Sequence, residues 1–292
     1  MRHRCLILII VVLGGMLTTS AFGAVIYNNL TPNNLMAVAS RPGSTGTLEI
    51  ETGDDFVLGS QTVINTASFV GLLVPGTGGA PSVADVIAEM YRVFPLDSNT
   101  ARTPNVPTRT NSPSDVAFDS RDSAASQLTF TTSVLAQSFT ALNSVQPGGI
   151  HPLPNQTTGG NGPVTGQEVE IDVTFTTPFN LPANHYFFIP QVALTGGAQF
   201  YWLSASRPIS GAGTTPFPAG VNDLQAWTRD ANLDPDWLRV GTDIVGGAPA
   251  PTFNTAFALG GTAIPEPATT SGVLAGLALI GMARRKRMHL SS

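Results

Sequence analysis

Cysteine, lysine and charge of either sign are scarce in this chain. Of its 292 residues, 11% are charged, against roughly 25% in an average soluble domain. The single cysteine, Cys5, falls inside an N-terminal segment that reads as an export signal. The exported part therefore has no disulfide, no thiolate nucleophile and no cysteine-ligated metal. A chain of this length buries a core without disulfides, which chiefly help domains below ~80 residues. Lysine occurs once, at Lys286, and charged helix formers are few. Histidine is nearly as rare: only His151 and His185 fall in the central part. A zinc site or a catalytic triad needs more partners than these, so neither is expected as ligand or base, and no cofactor is expected.

The charge that exists is unevenly spread. Setting aside residues 1–24 and 265–292 leaves 8 of the 14 basic and 18 of the 19 acidic residues, a net charge of −10. So acidic a surface argues against nucleic acid as a partner. In place of charge the chain has 30 glycines, 23 prolines and many Ser, Thr and Asn, with 42% hydrophobic residues. That mixture favours short strands joined by turns around a packed core.

Both ends read as sorting signals. Met1-Arg-His-Arg4 is basic, Leu6 to Leu17 is an apolar stretch broken only by Gly14 and Gly15, and small residues precede Ala24. This is the three-part anatomy of a secretory signal peptide over residues 1–23, to be removed by signal peptidase. The apolar run is shorter than the ~20 residues of a spanning helix. At the other end, Pro265-Glu266-Pro267 precedes sixteen uncharged residues, Ala268 to Ala283, and then Arg284, Arg285, Lys286 and Arg287. Two prolines end the preceding strand, an apolar helix over about 268–283 enters the inner membrane, and the basic cluster holds its end on the cytoplasmic side.

The tail as a whole, residues 264–292, resembles the PEP-CTERM sorting domain of Gram-negative bacteria. That resemblance implies recognition by an exosortase, a cysteine transpeptidase-like membrane enzyme, with cleavage near the Pro-Glu-Pro motif. It also implies a setting in which exopolysaccharide is secreted. Leu181–Pro190 and Asp236–Ile244 look like stretches of other PEP-CTERM ectodomains, and no activity comes with that likeness.

Residues 24–263 are expected to form an all-β ectodomain, an antiparallel two-sheet sandwich of jelly-roll type. The clearest strand is Gln167–Thr177, where Val169, Ile171, Val173 and Phe175 alternate with polar residues. Further strands are expected at Phe56–Leu58, Val63–Val74, Gln127–Phe139, His185–Leu194, Gln199–Ser204, Trp237–Ile244 and Thr252–Leu259. Ser82–Phe94 keeps helical spacing after a capping-box pattern, Ser82-x-x-Asp85, and is expected as a short helical turn leading into a strand. Asp97–Ser126 and Asn143–Gly166 are expected to be surface loops.

Candidate chemistry is thin. Asp230, Asn232, Asp234 and Asp236 alternate as in calcium loops, but Pro235 stands where glycine is wanted and no bidentate glutamate closes the pattern. The alternative is a turn in which Asp234 caps a helix begun by Pro235. Aromatics at Phe187, Phe188, Phe200, Tyr201, Trp202, Trp227 and Trp237 are first of all core. If one face of the 199–204 strand is bare, Tyr201 or Trp202 is the expected sugar contact, and Asp97–Ser126 is the loop that could cover it. Paired carboxylates for glycoside hydrolysis need not be close in sequence, and no pair stands out. The reading is a non-enzymatic envelope or matrix protein, structural or adhesive. A carbohydrate-binding module for exopolysaccharide is the alternative, and a polysaccharide hydrolase or lyase comes third.

Overall fold

Alternation at period two sets the longest strand. Val169, Ile171, Val173 and Phe175 are buried, while Thr174 and Thr176 are exposed, so one face packs and the other meets water. The computed structural model describes residues 24–151 and 156–264. Strands follow in chain order as β1 (Ala24–Asn28), β2 (Pro32–Ala39), β3 (Ile50–Leu58), β4 (Thr62–Val74), β5 (Val83–Arg92), β6 (Asp119–Asp122) and β7 (Leu128–Ala141). They continue as β8 (Ser144–Val145), β9 (Val164–Leu181), β10 (Asn184–Leu194), β11 (Gln199–Ala205), β12 (Trp227–Asp230), β13 (Leu238–Arg239) and β14 (Phe257–Ala263).

These strands make two sheets. In the larger, β4 is the hub: β9 runs along one edge, and β14 and β11 share the other, over Thr62–Phe69 and Gly71–Val74 respectively. Beyond them lie β1 next to β14, β2 and β8 next to β11, and β7 next to β9. The smaller sheet runs β13-β12-β3-β10-β5-β6. Every pairing is antiparallel except the short β2–β8 contact. The all-β, two-sheet architecture expected from the composition is present.

The sheets face each other across an aromatic core. Phe188 of the smaller sheet packs 5.4 Å from Phe257, 6.1 Å from Trp202 and 6.3 Å from Phe69 of the larger, measured between ring centroids. Gly71 belongs here because a side chain would not fit: a Cβ would stand 2.6 Å from the Tyr201 carbonyl oxygen.

Several expectations give way to tertiary pairing. Ser82–Phe94 holds no helical turn; β5 is extended throughout because β10 and β6 supply ladders on its two edges, and Val86, Ala88 and Met90 point inward at strand period. Trp237–Ile244 is a strand only at Leu238–Arg239. There the backbone turns into a π-type turn, Val240–Val245, held by Asp243 Oδ2 accepting from Arg239 N at 2.8 Å. The last strand falls at Phe257–Ala263 rather than Thr252–Leu259, and β3 begins at Ile50, six residues before the expected Phe56, through an acidic run that does not read as a strand. The expected loops contain β6 and β8.

The second face of β11 is covered as well. Tyr201 and Leu203 pack with Val70, Leu72, Val145, Ile150 and Ile244. The same buried cluster includes Val145 and Ile150 from the connection after β7, Val240 and Ile244 from the π-type turn, and Val106 from Asp97–Ser126. Tyr201 is 4% and Trp202 0% exposed, and Trp202 Nε1 donates to Ala256 O at 3.0 Å. Neither ring offers a face to a sugar: both are core, and the sugar contact expected only if one face were bare is corrected.

Because both rings are core, Tyr201→Ala and Trp202→Ala should each destabilise the fold by about 3–5 kcal/mol. Urea unfolding of the two variants checks this; a near-neutral Tyr201→Ala would mean that its face of β11 is open.

Candidate functional site

Consecutive strand residues point to opposite faces, and in β3 both are acids. Asp54 and Asp55 are each fully buried. Asp54 Oδ2 accepts from Thr255 N at 2.7 Å and from Thr255 Oγ1 at 3.2 Å. Asp55, on the other side, takes Leu224 N at 3.1 Å and faces His185 Nε2 at 2.5 Å. Asp223 joins them from the connection before β12. Its Oδ2 accepts from Arg207 Nη1, from Ser210 N at 2.9 Å and from Asn254 Nδ2 at 3.2 Å. Arg207 Nη2 also donates to Tyr27 Oη at 2.6 Å.

Burial, then the charge of neighbouring carboxylates, raises Asp54 and Asp55 well above the usual carboxylate range. Burial also lowers His185 to about 4, so its ring is neutral at neutral pH. Clusters of perturbed acids beside a cleft are where function concentrates, and this cluster lies beneath one. Two cavities, of about 540 Å³ and about 400 Å³, flank the segment Asn222–Leu224 and share Asn111, Asn222 and Leu224 as lining. The first is reached by Asn184 and His185, the second by Asp223, Gln225 and Arg239. Trp227 lines the second as well, with its indole N–H lacking a partner among the described residues. Amide, carboxylate and guanidinium groups around a shallow groove suit a ligand rich in hydroxyls.

A second acidic cavity, of about 360 Å³, opens on the outer face of the smaller sheet. Glu51 accepts from Tyr91 Oη at 2.6 Å and from Arg229 Nε, while Arg229 Nη2 donates to Tyr91 Oη at 2.9 Å. The Arg229 guanidinium lies 4.3 Å over the Trp237 ring. Gln191 Nε2 donates to Glu49 Oε1 at 3.1 Å and to Glu89 Oε2 at 3.3 Å. Burial first, then the charge of Glu51 and their mutual hydrogen bond, pushes Glu89 from 4.5 up to about 9. Glycoside hydrolysis sets its two carboxyl groups roughly 5–9.5 Å apart to admit a sugar carbon or a water. Here Glu51 is taken up by Tyr91 and Arg229, and Glu89 by Gln191.

The acidic loop singled out in the sequence ends beside this cavity but does not gather its oxygens. Asp230 Oδ1 accepts from Asn232 N and Leu233 N, both at 3.0 Å, capping the turn itself. Asp234 pairs with Arg229 at 2.7 Å. Asp236 is held by both terminal nitrogens of Arg102 and by Asn105 N at 2.7 Å. Each carboxylate serves a different partner, and Asp234 caps no helix, because a turn and then β13 follow it. His151 stays in the loop after β8 and His185 opens β10. The residues that sequence reasoning missed are Glu51, Asp54, Asp55, Glu89 and Asp223. A signal for the first three was there: Glu49-Ile-Glu-Thr-Gly-Asp-Asp55 is a dense acidic run in a chain poor in charge.

The family model of the PEP-CTERM protein-sorting motif matches residues 263–287. The chain carries a PEP-CTERM sorting tail. Comparison with curated proteins and with solved structures finds no match. The PEP-CTERM tail marks an exported protein with a membrane-anchored intermediate, handled by exosortase-type machinery. Its motif begins where β14 ends, at Ala263. Pro265, Glu266, Pro267, Arg284, Arg285, Lys286 and Arg287, the helix expected at 268–283 and the signal peptide at 1–23 lie outside the described residues. Among the described residues no helix is long and apolar enough to cross a membrane.

The raised Glu89 gives a signed pH effect. Above pH 4.5 the unfolded chain releases this proton while the folded chain keeps it, so stability falls as pH climbs toward about 9. Glu89→Gln keeps the neutral shape. Its melting temperature should match the parent at pH 4 and exceed it increasingly from pH 6 to 9. Equal melting temperatures at pH 8.5 would show that Glu89 is ionised in the fold.

Proposed function

We propose that this protein is exported, held transiently in the inner membrane by its PEP-CTERM tail, and delivered as a jelly-roll-like sandwich to the cell surface or extracellular matrix, where its role is structural or adhesive and not enzymatic. The observation that supports this most is the position of the motif match at 263–287, directly after a last strand already paired on both edges, to β1 and β4. Processing there removes no element of the folded domain. Replacing Arg284, Arg285, Lys286 and Arg287 with Gln should impair processing or membrane retention. A chain ending at Ile264 should be exported with an unchanged melting temperature. Immunoblots of membrane and culture fractions test both, and a mutant tail that is processed and fractionated as the parent is would overturn the sorting role.

A second reading, binding of exopolysaccharide, is favoured by the groove over Asp223. Its polar lining offers hydrogen bonds where the buried aromatics offer no stacking face. Asn222 is exposed and lines both cavities. On a glycan array, Asn222→Ala should weaken any retained polysaccharide at least several-fold with little change in melting temperature. Retention that ignores this change would place binding elsewhere.

A further inference from the structure

The acids beneath the groove carry more negative charge than their surroundings answer. Asp54, Asp55 and Asp223 are 0%, 0% and 4% exposed. Arg207 is the guanidinium bonded to this group, and His185, facing Asp55, is neutral because burial lowers it to about 4. Arg239, at the rim, is engaged by Asp243. Three buried carboxylates against one guanidinium would, if all were ionised, leave two negative charges away from water, which a fold tolerates only once protons or a cation neutralise them.

Three oxygens of the cluster have no hydrogen-bond partner among the described residues: Asp54 Oδ1, Asp223 Oδ1 and Asn254 Oδ1. Their side chains are tied together. Asn254 Nδ2 lies 3.2 Å from Asp223 Oδ2, and Asp54 Oδ2 is held by Thr255, the next residue along. Asn254 is 1% exposed, so its amide oxygen does not turn to water. An orphaned buried acceptor is costly, and three on side chains linked through Asn254 and Thr255 favour a shared cation. Carboxylate and amide oxygens without thiolate or imidazole are the ligand types of hard divalent cations.

We infer that Asp54, Asp223 and Asn254 hold a calcium ion between the sheets and the groove, its two charges matching the excess. No three His, Cys, Asp or Glu side chains among the described residues converge as a ligand group. Here the third ligand is the Asn254 amide, while Asp55 is turned to His185 and Leu224. The ion would fix Asp223 and thereby the floor of the groove, yet the inference stands whether or not the groove takes a glycan. The competing arrangement neutralises the cluster with two protons.

The full chain, purified in detergent and stripped with a chelator, decides between them. Metal analysis after calcium loading and desalting should find about one calcium per chain, with less retained after loading with magnesium alone. Calcium at about 100 times its Kd should raise the melting temperature by roughly 5–10 °C. Asp223→Asn should abolish that rise, and Asp234→Ala, in the 230–236 loop, should keep it. Because Asp223→Asn could fail to fold, Asn254→Asp is the second variant. Its added charge should tighten calcium binding several-fold if the ion is there, and should lower stability at every calcium concentration if protons are. No retained calcium, a melting temperature indifferent to calcium and chelator, and a destabilised Asn254→Asp would together overturn the inference.

Discussion

Pairing of scarce arginine with abundant carboxylate is the interaction on which the arrangement of the loops depends. The exported part has eight arginines to eighteen acids. Seven of the eight, Arg92, Arg102, Arg109, Arg121, Arg207, Arg229 and Arg239, make ion pairs. Several of these pairs join distant segments: Arg102 ties Asp97–Ser126 to Asp236, and Arg229 ties β12 to Glu51 of β3. Isolated surface pairs contribute little. These are buried or half-buried and hydrogen-bonded on several atoms, so removing one partner strands the other. The loops are long, but their positions are specified.

The same scarcity explains where unusual chemistry collects. With the arginines engaged, carboxylates that remain inside the fold have to share protons, find amides or attract a cation. Glu89 takes the first course, its pKa raised chiefly by burial, with Gln191 bridging it to Glu49. The Asp54, Asp55 and Asp223 cluster lies closer to the core and has more charge to answer. Both groups sit against cavities, so the buried polar groups of this sandwich shape the surface features most open to ligands.

What could be read from sequence was what periodicity and composition carry. β9 was legible because its faces differ in polarity, and β4, β10 and β11 because they are apolar runs bounded by turns. The two-sheet class followed from strand number and the lack of helix formers. β5 was misread because its apolar residues satisfy both helical and strand spacing, and only the ladders from β10 and β6 decide between them. β3 was mostly missed because its acids look like loop residues until partners from β12, β10 and the 223–255 region surround them. The candidate cluster combines residues 54, 55, 185, 207, 223 and 254, and beyond the acidic run that holds Asp54 and Asp55 nothing local to any of them announces the others. Tyr201 shows the converse: alternation correctly put it opposite Trp202, and a cover drawn from the 142–164 connection, not from alternation, decided that its face is closed.

β14 lies between β1 and β4, with Ala24 in register with Gly261. The first strand of the described domain and the last one before the tail are thus neighbours in one sheet. Each end of the described domain therefore departs within a few residues of the other, in the same sheet. While the tail is anchored, tension on it runs along β14 and loads the hydrogen bonds to both neighbours side by side, in shear, so that they resist together instead of opening one after another. The strand that leads into the tail is thus an inner strand of the larger sheet, held on both edges.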